Sequence, residues 1–171
     1  MQSHQQDRKY SGWLRYFLPG LGEVIFAAVF IAVLGLGPRL FNVDGDLGRH
    51  LTIGQYILDE LSIPTRDIFS HTLSGEALTP HEWLAQVLFA AVHGLEGFDG
   101  LVWLAALILG GTFLLIYREA FERSGQILTA AGFTCLAAAA SSLHWLIRPH
   151  LVTIAFTAIW VRQCEKIRAG K

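Results

Sequence analysis

Leu101-Val102-Trp103-Leu104-Ala105-Ala106-Leu107-Ile108-Leu109-Gly110-Gly111-Thr112-Phe113-Leu114-Leu115-Ile116-Tyr117 carries no charged side chain. With its flanks it reaches the roughly 20 apolar residues that cross about 30 Å of hydrocarbon, so we read it as a membrane span over 101–118. Working outward, a second such run, Leu21 to Leu36, contains only Glu23. Gly37-Pro38-Arg39-Leu40 follows it where a secretory signal would carry small residues for cleavage, so 21–38 reads as a retained span. The stretch 126–146 is rich in Ala, Gly, Ser and Thr. Small side chains let helix backbones approach closely, which places this span inside the bundle, facing other helices. The last stretch, 150–164, is short in apolar residues and spans if Arg162 and Lys166 snorkel to the boundary.

The composition agrees. With 53% hydrophobic and 16% charged residues among 171, the chain is too apolar for an ordinary soluble domain. Its net charge of -1 and the lack of zinc-finger or phosphate-loop spacing exclude nucleic acid as an expected partner. Cys135 and Cys164 lie in or at the end of apolar stretches, where cysteine behaves as a small apolar side chain; no disulfide and no metal site is expected.

Between the first two spans, residues 39–100 form a long loop with two amphipathic stretches. Over about 47–61, Leu47, Leu51, Ile57 or Leu58, and Leu61 share a helical face, with Arg49, Gln55 and Asp59 turned away. Over about 80–95, Leu84, Val87, Leu88, Ala91 and Leu95 make one stripe and Glu82, Gln86 and His93 another. Both helices are expected to lie along the membrane interface. The expected fold class is therefore an all-α integral membrane protein with about four transmembrane helices and two interfacial amphipathic helices in the first extracytoplasmic loop.

Four spans with a cytoplasmic N-terminal segment (1–20) and tail (165–171) put nine of the thirteen basic residues inside: Arg8, Lys9, Arg15, Arg118, Arg123, Arg162, Lys166, Arg168 and Lys171. A fifth span at Leu84 to Leu95 fits that rule less well. The expected location is a bacterial cytoplasmic membrane, multi-pass, with both termini cytoplasmic.

This topology gathers Asp44, Asp46, Arg49, His50, Asp67, His71, His81, Glu82, His144, Arg148 and His150 on the outer face. An Asp there can take a proton from an attacking hydroxyl or hold a divalent cation; an Arg can neutralise a phosphate through paired donors. Which cofactor is used, if any, stays open, and no histidine spacing defines a metal site. Plainer readings stand beside these. Asp46 can cap the helix beginning at Leu47. Thr79-Pro80-His81-Glu82 has the form of a capping box, and Trp83 that of an interfacial anchor. Asp67, after Pro64-Thr65-Arg66, can satisfy loop amides, and Arg148, before Pro149, can snorkel.

The segments Asp44-Gly45-Asp46-Leu47-Gly48-Arg49-His50-Leu51, Ile63-Pro64-Thr65-Arg66-Asp67-Ile68-Phe69-Ser70-His71-Thr72, His81-Glu82-Trp83-Leu84-Ala85-Gln86 and Arg148-Pro149-His150 together resemble the N-terminal part of bacterial membrane glycosyltransferases of the GT-C superfamily, akin to dolichyl-phosphate-mannose protein mannosyltransferases. The resemblance implies sugar transfer from a polyprenyl phosphate on the extracytoplasmic side. It makes Asp44 the catalytic base or cation-holding acid with Asp46 as its alternate, and Arg148 a donor-phosphate contact; His50, Glu82 and Asp67 are the further substrate-binding candidates. Such enzymes have many more spans, so this chain is expected to be too short to act alone. The alternative is a non-catalytic membrane subunit, with membrane lipids and other transmembrane subunits as partners, stabilising a respiratory, photosynthetic or secretory complex.

Overall fold

The computed structural model describes residues 20–42 and 45–170. Asp44, the segment 1–19 and Lys171 lie outside the described residues. Among the described residues the fold is all-helical, with one isolated antiparallel bridge between Arg66 and Ala77.

Helix α1, Leu21–Leu36, ends at Gly37, whose φ of 46° and N–H bond to the Val33 carbonyl close it before Pro38 bars continuation. A single turn, α2 (Arg39–Asn42), leads to α3, Leu47–Glu60. An extended loop follows, then α4, Trp83–Ser124. Helix α5, Ile127–Ser141, continues into a 3-10 turn at Ser142–His144, and α6 is His150–Arg168.

Helix α4 organises the molecule: α1, α3, α5 and α6 all pack on it. It is two helices joined at Gly97, whose φ of 63° and ψ of -152° belong to a region essentially reserved for glycine. Its first half carries α3. Its second half is the spine of the bundle, with Leu101, Ala105, Ala106, Leu109 and Phe113 buried against Val29 and Val33 of α1 and Leu151 of α6. Small residues set the spacing, since a Cβ on Gly110 would stand 3.0 Å from the Phe26 ring.

Trp83–Ser124 and Ile127–His144 are long and apolar enough to cross a membrane by length and composition; Leu21–Leu36 is a shorter apolar helix. The most apolar stretch of the α5 region is only 11% buried, against 56% for that of α4. The expectation that 126–146 sits inside the bundle is thus not met. Ala130 and Thr134 are its buried contacts, while Leu128 (86% exposed) and Phe133 (65%) face outward.

Four other features differ from expectation. The capping box does not form: α4 starts at Trp83, Glu82 stands at its N-cap without a side-chain cap bond, and the Trp83 N–H reaches the Pro80 carbonyl in a turn instead. The helix expected at 80–95 buries Ala85, Gln86, Phe89 and Ala90, so Gln86 belongs to the protein-facing side and Leu84 and Leu95 to the exposed one. The reason is that this helix has two apolar faces, and α3 docks on the one where Ala85 and Ala90 permit close approach. In α3 the buried face is Leu47, His50, Ile53, Gly54 and Ile57, while Leu61 is 89% exposed. Finally, α6 runs beyond 164 to Arg168 because its polar last turns are ion-paired.

Candidate functional site

The chain's two poles are both polar and differ in kind. At one, the close of α1, the start of α3 and the turn between α5 and α6 converge. Leu40, buried in α2, accepts a hydrogen bond at its carbonyl from the Ile147 N–H at 3.1 Å. Trp145 is buried beside Phe113, ring centroids 5.6 Å apart, and its indole N–H donates to Ser141 Oγ. Tight backbone turns, Leu146 N–H to His144 O and Arg148 N–H to Leu146 O, then deliver Arg148 to the surface just before Pro149 opens α6.

The result is an ion pair: Arg148 Nη2 lies 3.2 Å from Asp46 Oδ2. Asp46 does not cap α3 with its side chain, as the plainer reading supposed; its carboxylate crosses to the guanidinium. A pair as accessible as this contributes about 0–1 kcal/mol to stability, so its interest is chemical rather than structural.

One helical turn into α3, His50 is buried, with Nδ1 3.2 Å from Gln86 Nε2 and 3.8 Å from Glu82 Oε2. Gln86 is also buried, and its Oε1 has no hydrogen-bond partner among the described residues. Gly54 makes this cluster possible: it lies so close to the Gln86 carbonyl and to Ala90 Cβ that no side chain fits between the helices.

Asp67 lies apart from this cluster. Its Oδ1 accepts the Phe69 and Ser70 N–H groups, both at 2.9 Å, while its backbone exchanges bonds with Glu76 and Gly75. Arg66 clamps the same loop through the Gly75 carbonyl. Asp67 borders a cavity of about 320 Å³ with Arg49, Thr52 and Ser70. The Ser70 amide, the Ser70 side chain and the Phe69 amide hold its carboxyl below the ordinary value, with Arg49 adding to the effect. A lowered folded value means that the loop's stabilisation is complete above the unfolded value and is lost as pH falls through the folded one. The protection of the Phe69 and Ser70 amides, read as exchange relative to the intrinsic rate at each pH, should therefore fall upon acidification below about pH 4, and Asp67→Ala should show the low protection at neutral pH. Protection that persists in Asp67→Ala would assign the loop's order to other bonds.

Between the first half of α4 and α6 runs a groove of about 820 Å³, with Leu84, Leu88, Val152, Phe156 and Trp160 on its walls and His81, Glu82 and His150 at one end. His150 Nε2 is 2.7 Å from the His144 carbonyl, to which it donates. Among the described residues no group of three or more His, Cys, Asp or Glu side chains could hold a metal ion.

The opposite pole is a lattice of ion pairs joining the ends of α4 and α6. Arg162 meets Glu122 at 3.0 Å and Glu119 at 3.8 Å; Arg123 meets Glu119 at 2.8 Å and Glu165 at 3.6 Å. Arg118 reaches Glu23 at the start of α1 at 2.9 Å. The basic residues of this pole were read from the sequence as topology markers. Their acidic partners were not, although Glu119 and Arg123, four residues apart on one helix, are a readable signal.

Of the sequence candidates, then, Asp46 meets Arg148, and His50 meets Glu82. Asp67 stands elsewhere, His71 is exposed on the loop, and Asp44 lies outside the described residues. Gln86 and Gly54 are the additions that sequence reasoning missed. No protein-family model, curated protein or solved structure matches the chain.

Proposed function

We propose that the chain is a four-span module of a bacterial cytoplasmic membrane, related to the GT-C glycosyltransferases, with the Asp46–Arg148 pole extracytoplasmic and engaging a polyprenyl-phosphate-linked sugar. Its spans are α1, the second half of α4, α5 and α6, and its termini are cytoplasmic. The observation that carries the reading is the 3.2 Å approach of Arg148 to Asp46, which brings an acid following the first apolar helix together with a guanidinium preceding the last. The second support is that Arg118, Arg123, Arg162 and Arg168 gather at the other pole, where the positive-inside rule wants them. Arg148 would bind the donor phosphate, and Asp44 or Asp46 would serve the acceptor hydroxyl.

Cysteine labelling tests the topology. In a chain with Cys135 and Cys164 replaced, Ser74→Cys, on the exposed loop, should react with an impermeant maleimide in intact cells. Gln126→Cys, exposed at the other pole, should react only after permeabilisation. Equal reactivity at both positions in intact cells refutes the assignment.

A second reading is favoured by one observation: Leu128, Phe133, Leu136 and Leu143 leave the α5 region with a broad outward apolar face. On it the chain is a non-catalytic subunit docking through α5 onto a larger membrane complex. Mild-detergent purification should then yield a defined multiprotein assembly that Phe133→Lys disperses; a monodisperse lone chain removes this reading.

A further inference from the structure

We propose that the groove between the first half of α4 and α6 seats one acyl chain of a membrane lipid whose headgroup ends in a primary ammonium, with Glu82 holding that ammonium. The proposal rests on the membrane placement above and names a ligand distinct from the sugar donor.

The groove's size, about 820 Å³, is in the range of clefts that take small, largely apolar ligands. Leu84, Leu88, Phe156 and Trp160 make its walls. Leu84 and Phe156 are each 61% exposed and Trp160 72%, so these walls want an apolar covering along their length.

The chemistry of the head end selects the ligand. Among the described residues no Lys or Arg lines the groove, while the Glu82 carboxylate does, with its side chain 49% exposed. His150 donates its Nε2–H to the His144 carbonyl, and the tautomer with its proton on Nε2 carries its acceptor on Nδ1. A head end that holds the Glu82 carboxylate beside the His81 and His150 imidazoles calls for a donor of complementary charge. A primary ammonium has three N–H donors and the complementary charge, whereas a trimethylammonium has the charge and no donor.

The experiment places the full chain in nanodiscs containing equal parts of phosphatidylethanolamine, phosphatidylcholine and phosphatidylglycerol with identical acyl chains. Lipid retained on the protein is then read by native mass spectrometry. All three lipids carry the same phosphodiester, so the comparison isolates the terminal group. Phosphatidylethanolamine should be retained about three- to five-fold over either of the others, the scale that one partly exposed, hydrogen-bonded ion pair supplies. Glu82→Gln should abolish this preference. Trp160→Ala should reduce total retention and leave the headgroup ratio unchanged, which separates tail from head. Equal retention of the three lipids, preference for phosphatidylglycerol, or an unchanged ratio in Glu82→Gln overturns the proposal alone. A chain that does not incorporate into the discs overturns the membrane placement, and this proposal with it.

Discussion

Gly54→Ala is expected to drive α3 off α4, although helix propensity alone predicts the opposite. In a helix interior, alanine is favoured over glycine by about 1 kcal/mol, so an exposed Gly54 would be improved by the change. The added Cβ, however, would fall on the Gln86 carbonyl and 2.9 Å from Ala90 Cβ. The first of these is backbone inside a helix and cannot rotate away. The helices must separate, which loosens the packing of the buried residues Ile53, Ile57 and Phe89 and pulls His50 from Gln86. Overpacking a tight site typically costs about 1–3 kcal/mol, and a clash with fixed backbone belongs at or above the top of that range. The clash therefore outweighs the propensity gain. Gly48→Ala supplies the control: it lies in the same helix, with nothing among the described residues within 4 Å of the added Cβ, and should leave the protein unchanged or slightly more stable. Thermal unfolding should show a clear loss for Gly54→Ala alone. Equal midpoints for the two variants would mean that α3 and α4 are not in intimate contact.

This pair of glycines also shows where the sequence was legible. The apolar runs around Leu21 to Leu36 and Leu101 to Tyr117 announced their helices, because an apolar run of that length admits few other solutions. The break at Gly97 falls between the helix expected at about 80–95 and the span expected from 101. What a helical wheel does not reveal is which of two apolar faces a neighbour will choose. Leu84 and Leu88 are larger than Ala85 and Ala90, yet the smaller pair is buried because α3 brings a glycine to it and close approach needs small residues on both sides. Asp46 shows the same limit for polar groups. Local spacing offered a cap, and the carboxylate instead found Arg148, a partner that only tertiary structure supplies. Residue Asp67 went the other way: its turn sequence predicted loop amides as partners, and the Phe69 and Ser70 amides are there.

The three charged groups of the proposed reaction should separate in kinetics. Asp44→Asn keeps the shape of the side chain and removes the base, so sugar transfer from a polyprenyl-phosphate donor in membranes should fall by about 10²- to 10⁴-fold, the usual contribution of a positioned acid or base. Arg148 is a binding group on this reading. Arg148→Ala should chiefly raise KM for the donor, and Arg148→Lys should recover part of it, since a lysine keeps the charge and loses the planar fork. Asp46 is the informative case. Its carboxylate lies 3.2 Å from the guanidinium and therefore competes with an incoming phosphate for the same cation. If Asp46 is that competitor and Asp44 the base, Asp46→Asn lowers KM for the donor and keeps kcat. We expect this outcome because the Asp46 carboxylate faces Arg148 and would have to leave the guanidinium to reach an acceptor hydroxyl. A collapse of kcat in Asp46→Asn with Asp44→Asn intact would exchange the two roles. Unchanged transfer in Asp44→Asn, Asp46→Asn and Arg148→Ala alike would remove sugar transfer from this pole and leave the docking of α5 as the better account of the chain. Glu122→Gln at the far pole serves as the reference, because it cuts an ion pair of comparable exposure to Arg162 without approaching the site.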